Sequence, residues 1–200
     1  MKLSKLLAVA ALSVSSITAF ALPMSSAETF YLTDTDGVND NFFSLNLTGS
    51  VSNNAFGIYD FTKNGLGDVS ITSTLEILSA PSNPFSFAFV NFDLSAGTAT
   101  NAIGDVANID DSFGFYIENA NGTFYSHTNL NAGEDYLNVY IDNIQNTLQL
   151  NWEDSLDNDA DFNDLVVMVD DVSVSEPGTL ALLGLGLAGL GFARRRQSKA

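Results

Sequence analysis

Six short stretches of this chain alternate apolar and polar residues with a period of two. In "DVSITSTLEIL" the repeating set is Val69, Ile71, Ser73, Leu75 and Ile77. In "FSFAF" it is Phe85, Phe87 and Phe89, and in "FGFYI" it is Phe113, Phe115 and Ile117. Further on come Leu137, Val139 and Ile141, then Leu148, Leu150 and Trp152, then Leu165, Val167 and Val169. Residues two apart on an extended strand point the same way, so each stretch can bury one face. A helix needs apolar residues three to four apart, and no segment between the two chain ends has them. Turn signals separate the stretches: Asn64-Gly65, Asn121-Gly122 and the run from Pro81 to Pro84. Residues 28–174 are therefore expected to form an all-β domain, an antiparallel β-sandwich or jelly-roll-like fold. Two hundred residues are enough for one such core. There is no clear internal repeat. Ala96–Asn108 is the best place for an internal boundary, although a long sandwich loop fits it better.

Charge is distributed unevenly along the chain. Lys2 and Lys5 lie at the start, and Arg194, Arg195, Arg196 and Lys199 at the end. Between Glu28 and Pro177 the single base Lys63 faces all 24 acids, a formal charge of −23. Such a surface repels nucleic acid and anionic headgroups and attracts cations. The chain has no cysteine, which removes disulfides, thiol nucleophiles and thiolate metal sites.

The ends read as addresses. Lys2 and Lys5 precede an apolar run from Leu6, then small residues, the pattern of a secretory signal peptide. Ala19-Phe20-Ala21 places the cleavage after residue 21, and Ser25-Ser26-Ala27 offers an alternative end at 27. Ser13, Ser15, Ser16 and Thr18 interrupt the run and argue against a retained anchor. At the other end, Thr179 to Ala193 carries no charge. As a single transmembrane helix it spans about 22 Å, against a hydrocarbon core of about 30 Å. A short span inserts by thinning the bilayer, with Arg194–Arg196 on the cytoplasmic side.

Ser175-Glu176-Pro177-Gly178, the apolar run and Arg194-Arg195-Arg196 together closely resemble the PEP-CTERM sorting signal of Gram-negative bacteria. The resemblance covers residues 175–200, with Ser175 where the family usually has Pro. It implies export by the secretion machinery and a transient stay in the inner membrane. It also implies recognition by exosortase, which acts near the Glu-Pro junction, and delivery to the cell surface or extracellular matrix, where such proteins accompany exopolysaccharide and biofilm.

The richest stretch of the middle segment is "NWEDSLDNDADFNDLVV". From Glu153 to Asp164 it holds six acids and no base. Their mutual repulsion destabilises the fold unless water or a cation intervenes. Asp157, Asp159 and Asp161 are two apart, about 6.7 Å on a straight strand. One Ca²⁺ needs oxygens at about 2.3–2.6 Å, so the segment must curl if the three share an ion. The spacing opens like an EF-hand loop. Phe162 then stands where that loop needs Gly, Met168 where it needs Glu, and "LVVMV" reads as strand. A Ca²⁺ loop between strands is the expectation, with a solvated acidic turn as the alternative. Asp34, Asp36 and Asp40, with Asn39 and Gly37, form a second, weaker candidate.

Residues 111–172 are similar to the bacterial family called domain of unknown function 4114. The matching positions are Phe115-Tyr116-Ile117, Trp152-Glu153-Asp154 and Asp159 through Val166. The resemblance implies secretion or surface exposure but no activity, and it singles out Asp159, Asp161, Asn163 and Asp164 as site residues.

An enzyme is not expected. The only histidine, His127, reads as an exposed strand-end residue between Ser126 and Thr128. There is no G-x-S-x-G and no glycine-rich phosphate cradle. With 24 acids, carboxylate pairs among Glu118, Glu134 and Glu153 arise by chance. The expected role is a structural matrix component stiffened by Ca²⁺. The alternative is a carbohydrate-binding module in which Trp152 and exposed Tyr116, Tyr125 or Tyr136 stack on exopolysaccharide, although Trp152 at a strand end reads better as core.

Overall fold

The computed structural model describes residues 27–33, 41–46, 55–79, 85–142, 147–154 and 161–174. These hold strands β1 (Phe30–Leu32), β2 (Asn41–Asn46), β3 (Ala55–Lys63), β4 (Val69–Ser79), β5 (Phe85–Asp93), β6 (Thr98–Thr100) and β7 (Val106–Asn108). They continue with β8 (Ser112–Asn119), β9 (Gly122–Tyr125), β10 (Leu137–Asp142), β11 (Thr147–Trp152), β12 (Leu165–Asp170) and β13 (Val172–Val174). One 3₁₀ turn, Thr128–Asn131, is the only helical element among the described residues. Every strand pair is antiparallel, as expected. The first sheet runs β13-β1-β8-β3-β4, with β9 added on β8; the second runs β10-β11-β12-β2-β5-β6-β7. Buried residues from both sheets form one apolar cluster. The expected signal peptide (to residue 21), the expected transmembrane span 179–193 and Pro81–Pro84 lie outside the described residues.

The period-two readings of the C-terminal half translate directly into packing. Leu137 pairs with Trp152 and Trp152 with Leu165; Val139 pairs with Leu150 and Leu150 with Val167; Leu148 pairs with Val169 and Ile141. Three apolar rows thus cross β10, β11 and β12, all buried apart from the half-buried Ile141. Each fully buried side chain contributes about 1.5–3 kcal/mol. Trp152 is 0% exposed. Tyr116 and Tyr136 are buried and Tyr125 half-buried. Of the residues named for sugar stacking, Trp152, Tyr116 and Tyr136 are packed inside and only Tyr125 keeps part of its surface, which takes away most of the specific support for the carbohydrate-binding alternative.

Two expectations for the middle of the chain are corrected. On β5 the buried residues are Ala88 and Val90 while Phe89 is 58% exposed, so the inward face is the even-numbered one. The small Ala88 fits where a second aromatic layer would overfill a core that already holds Phe92 stacked on Phe113, ring centroids 5.5 Å apart. Ala96–Asn108 is neither a boundary nor a long loop. It holds the β6–β7 hairpin, which extends the second sheet.

That hairpin turns in the same way as β3–β4. In Asn64–Asp68 the Asn64 Oδ1 accepts from the amides of Leu66 and Asp68, at 2.8 and 2.9 Å. In Asn101–Asp105 the Asn101 Oδ1 accepts from Ile103 and Asp105, at 3.2 and 2.8 Å. Each Asn also donates Nδ2–H to the closing Asp carboxylate. Gly67 and Gly104 adopt φ 90° and 95°, which only glycine takes without strain. A five-residue pattern, Asn-x-(Leu/Ile)-Gly-Asp, is thus repeated in structure.

A second small core lies on the other face of the first sheet. On β3 and β8 two tyrosine–glycine pairs face each other in reverse order: Gly57 opposite Tyr116, and Tyr59 opposite Gly114. A Cβ on Gly114 would meet the Tyr59 ring, and one on Gly57 the Tyr116 ring and the Leu75 carbonyl. Each ring covers the bare backbone of its partner. Tyr125 packs edge-on against Tyr59. Gly114→Ala and Gly57→Ala are expected to cost about 2 kcal/mol each. Gly57 should be the more sensitive, because a backbone carbonyl cannot swing away. Thermal unfolding of the two variants checks this.

Candidate functional site

Trp152, at the end of β11, pairs with Leu165, at the start of β12, and the acidic stretch 153–164 lies between them in the sequence. Its entry is held from below. The Glu153 amide donates to the Tyr136 carbonyl (3.0 Å), and Glu153 is 1% exposed. Asn119 and Asn121, from the β8–β9 turn, donate their side-chain amides to the Asp154 carbonyl at 2.8 and 3.3 Å. The Asp154 amide in turn donates to Asp164 Oδ2 (3.0 Å), joining entry to exit. On the exit side Asn163 donates from its backbone (3.3 Å) and from Nδ2 (2.7 Å) to the two Asp161 oxygens.

Phe162 sits between them at φ 49°. A bulky residue in the left-handed region costs about 1–2 kcal/mol relative to glycine, and such strain gathers at ligand turns. The tight turn that an EF-hand draws from glycine is therefore present here on a phenylalanine. The rest of that motif is not. Met168 lies within β12, paired with Gln149 and Ser44, as the strand reading of "LVVMV" required.

Asp161, Asn163 and Asp164 thus lie together just before β12, and their side-chain oxygens are of the type that a hard cation accepts. Asp157 and Asp159 lie outside the described residues, as do Asp34, Asp36 and Asp40. Among the described residues no three acids or histidines converge on one point.

A second polar cluster went unread in the sequence. His127 is 0% exposed, not the exposed strand-end residue expected. Its Nδ1 lies 2.6 Å from the Tyr59 hydroxyl and its Nε2 3.1 Å from Thr29 Oγ1. Burial pushes the Tyr59 phenol well above its usual range, so it keeps its proton and donates to Nδ1. Nε2 then carries the ring hydrogen and donates to Thr29, which also accepts from Lys63 Nζ (3.2 Å). Burial first, and then the Lys63 ammonium, depress His127 to a pKa of about 4, with Glu28 pulling the other way.

Around this ring the Ser126 hydroxyl donates to the Glu28 carbonyl (2.8 Å), and Glu28 Oε1 accepts from the Thr128 amide and hydroxyl, at 2.9 and 2.6 Å. Burial works against the Glu28 charge, but the Thr128 bonds outweigh it and hold the carboxyl below its usual range. The cluster clasps the start of the domain to a segment 98–100 residues later. The only local hints were that His127 is the sole histidine and Lys63 the sole base of the middle segment.

Comparison with known proteins bears on the end of the chain. A family model described as the PEP-CTERM protein-sorting motif matches residues 173–197. No curated protein and no solved structure matches the chain. The motif implies recognition by exosortase, export and transient processing at the membrane. Its first two residues, Ser173 and Val174, are also the last two of β13.

Proposed function

We propose that this chain is an exosortase-sorted surface or extracellular-matrix protein whose acidic β domain is a structural component, stabilised by Ca²⁺ and associated with exopolysaccharide. The observation that carries the reading is the junction: the folded domain runs straight into the sorting motif, sharing residues 173 and 174 with it. The domain is cargo, and the motif is what an enzyme acts on. Its two sheets around one apolar core suit the jelly-roll-like sandwich expected of such cargo, and both clusters just described brace it. Ca²⁺ is supported by the strained turn at Phe162 and by the Asp161 and Asp164 carboxylates. Asp157 and Asp159, the position shared with domain of unknown function 4114, would complete the oxygen set. The formal charge of −23 between Glu28 and Pro177 favours any bound cation further.

The test is the melting temperature of the exported protein in Ca²⁺, Mg²⁺ or EDTA at fixed ionic strength. At about a hundredfold its dissociation constant, a ligand of the folded state adds about 2.7 kcal/mol, or about 5–10 °C for a chain of this size. The rise is expected with Ca²⁺ and not in the Asp159→Ala, Asp161→Ala double variant. Equal small shifts with Mg²⁺ would reduce the acids to a screened, solvating surface.

A further inference from the structure

We infer that strand β13 masks the start of the sorting motif, so that the motif is read only after β13 has left the sheet. The inference rests on the sorting reading and adds a control to it. Ser173 and Val174 belong to the matched motif, yet they are paired with Tyr31 and Phe30 of β1. Among the described residues their strand is the outer one of its sheet, with β1 as its single hydrogen-bonded neighbour. It is three residues long, with Val172 buried and Ser173 and Val174 half-buried. The chain reaches it from β12, in the other sheet, through Asp171 alone, at φ 58°; the Asp171 carbonyl accepts from the Thr33 amide (2.9 Å). Among the described residues β13 is therefore hydrogen-bonded on one side only, over three residues; Val172 and Val174 also pack on the core, and so short an edge strand can open locally.

Reach makes opening useful. From Val174 to Thr179, where the uncharged run begins, the extended chain spans at most about 17 Å. A domain of this size is about 30 Å or more across. An enzyme embedded at the membrane must fit the motif into a cleft while that bulk sits at its entrance. Peptides are commonly held in clefts as extended strands, through their main-chain hydrogen bonds. β1 already occupies part of that set. Releasing β13 back to Asp171 frees the main chain of residues 172–174 and extends the reach to about 27 Å. The partner strand β1 starts three residues after Ala27, near the start of the exported chain. The folding of that end thus sets how readily the other end is sorted.

The chain has no cysteine of its own, so an added pair acts as a clean staple. Tyr31 and Ser173 are directly opposite, and such pairs lie about 4.5–5.5 Å apart at Cα, within disulfide reach. The full-length Tyr31→Cys, Ser173→Cys variant is presented to exosortase in membranes, oxidised and reduced, and loss of the C-terminal segment is followed by mass. A control staple, Tyr140→Cys with Gln149→Cys, joins β10 to β11 instead. The oxidised β1–β13 staple is expected to be processed at least about tenfold more slowly than its reduced form, with the control unaffected by oxidation. Equal rates for the oxidised and reduced β1–β13 staple, while the unmodified chain is processed, would overturn the masking and leave the sorting reading intact. Equal slowing of both staples would overturn it too, since general rigidity would then be the cause. An unmodified chain left uncut would overturn both.

Discussion

Trp152→Ala is expected to remove about 3–5 kcal/mol of folding free energy. The side chain is 0% exposed and lies between Leu137 and Leu165 in the outermost of the three apolar rows. Truncation leaves a cavity that β-sheet backbone on both sides cannot close. A domain of this size has about 5–15 kcal/mol in all, so the variant should be marginal or unfolded at 37 °C. Trp152 Nε1 has no hydrogen-bond partner among the described residues. Trp152→Phe discards that unsatisfied donor and keeps most of the ring, so its cost should stay below about 1.5 kcal/mol. Denaturant unfolding of both variants measures the difference. A loss below about 1 kcal/mol for Trp152→Ala would mean the ring is not core. The pair also separates packing from sugar binding: a stacking residue loses ligand without losing stability, whereas Trp152→Ala loses the fold first.

Acidification should weaken the domain from about pH 6.5 downward through its buried histidine. An unfolded histidine takes up a proton near pH 6.5, whereas buried His127 resists down to about pH 4. Between those values the unfolded chain binds more protons than the folded one, so stability falls as pH falls. The full difference corresponds to about 3 kcal/mol, reached at about pH 4. Below pH 4.5 Glu28, held low, adds to the loss as it is protonated. Asp135 and Asp170, held high by burial, oppose it, because they take up protons more readily when folded. His127 therefore starts the fall near pH 6.5, and the two raised aspartates oppose it as they take up protons. In His127→Asn the fall that begins near pH 6.5 should disappear, at a cost of about 1–3 kcal/mol at pH 7 from the lost bonds to the Tyr59 and Thr29 hydroxyls. A flat wild-type stability profile from pH 6.5 to 4.5 would contradict the closed network around His127.

β10, β11 and β12 were legible because each presents a clean inner face at period two, and neighbours in sequence are also neighbours in the sheet. β5 was harder. Phe85, Phe87 and Phe89 alternate as well as any set, yet Phe89 is exposed while Ala88 and Val90 are buried. The short strands β1, β6, β7 and β13 have no periodicity to detect over three residues each. β1 and β6 exist because a longer neighbour, β8 or β5, offers hydrogen-bonding groups, and β13 and β7 pair on them in turn. Within the acidic turn, oxygen-bearing residue types were visible from composition. The left-handed Phe162 was not, since nothing in its side chain favours that backbone conformation.

What the sequence determined by itself is whatever is written locally. The arrangement of Glu176-Pro177, an uncharged run and Arg194–Arg196 is read by an enzyme as a linear pattern, so it needs no fold to be recognised. The β class and the inner faces of β10, β11 and β12 follow from spacing within a few residues. The tertiary structure decided what depends on partners far apart in the chain. His127 is buried because Thr29, 98 residues earlier, and Tyr59, 68 residues earlier, close around it. Gly57 and Gly114 are obligatory because a tyrosine from the facing strand lies over each. Val174 is a strand residue as well as a sorting residue because Phe30, at the opposite end of the domain, supplies its hydrogen-bonding edge. Contacts of that sequence separation leave no local trace, since each side chain alone is equally content in water or on a loop until the fold brings its partner to it.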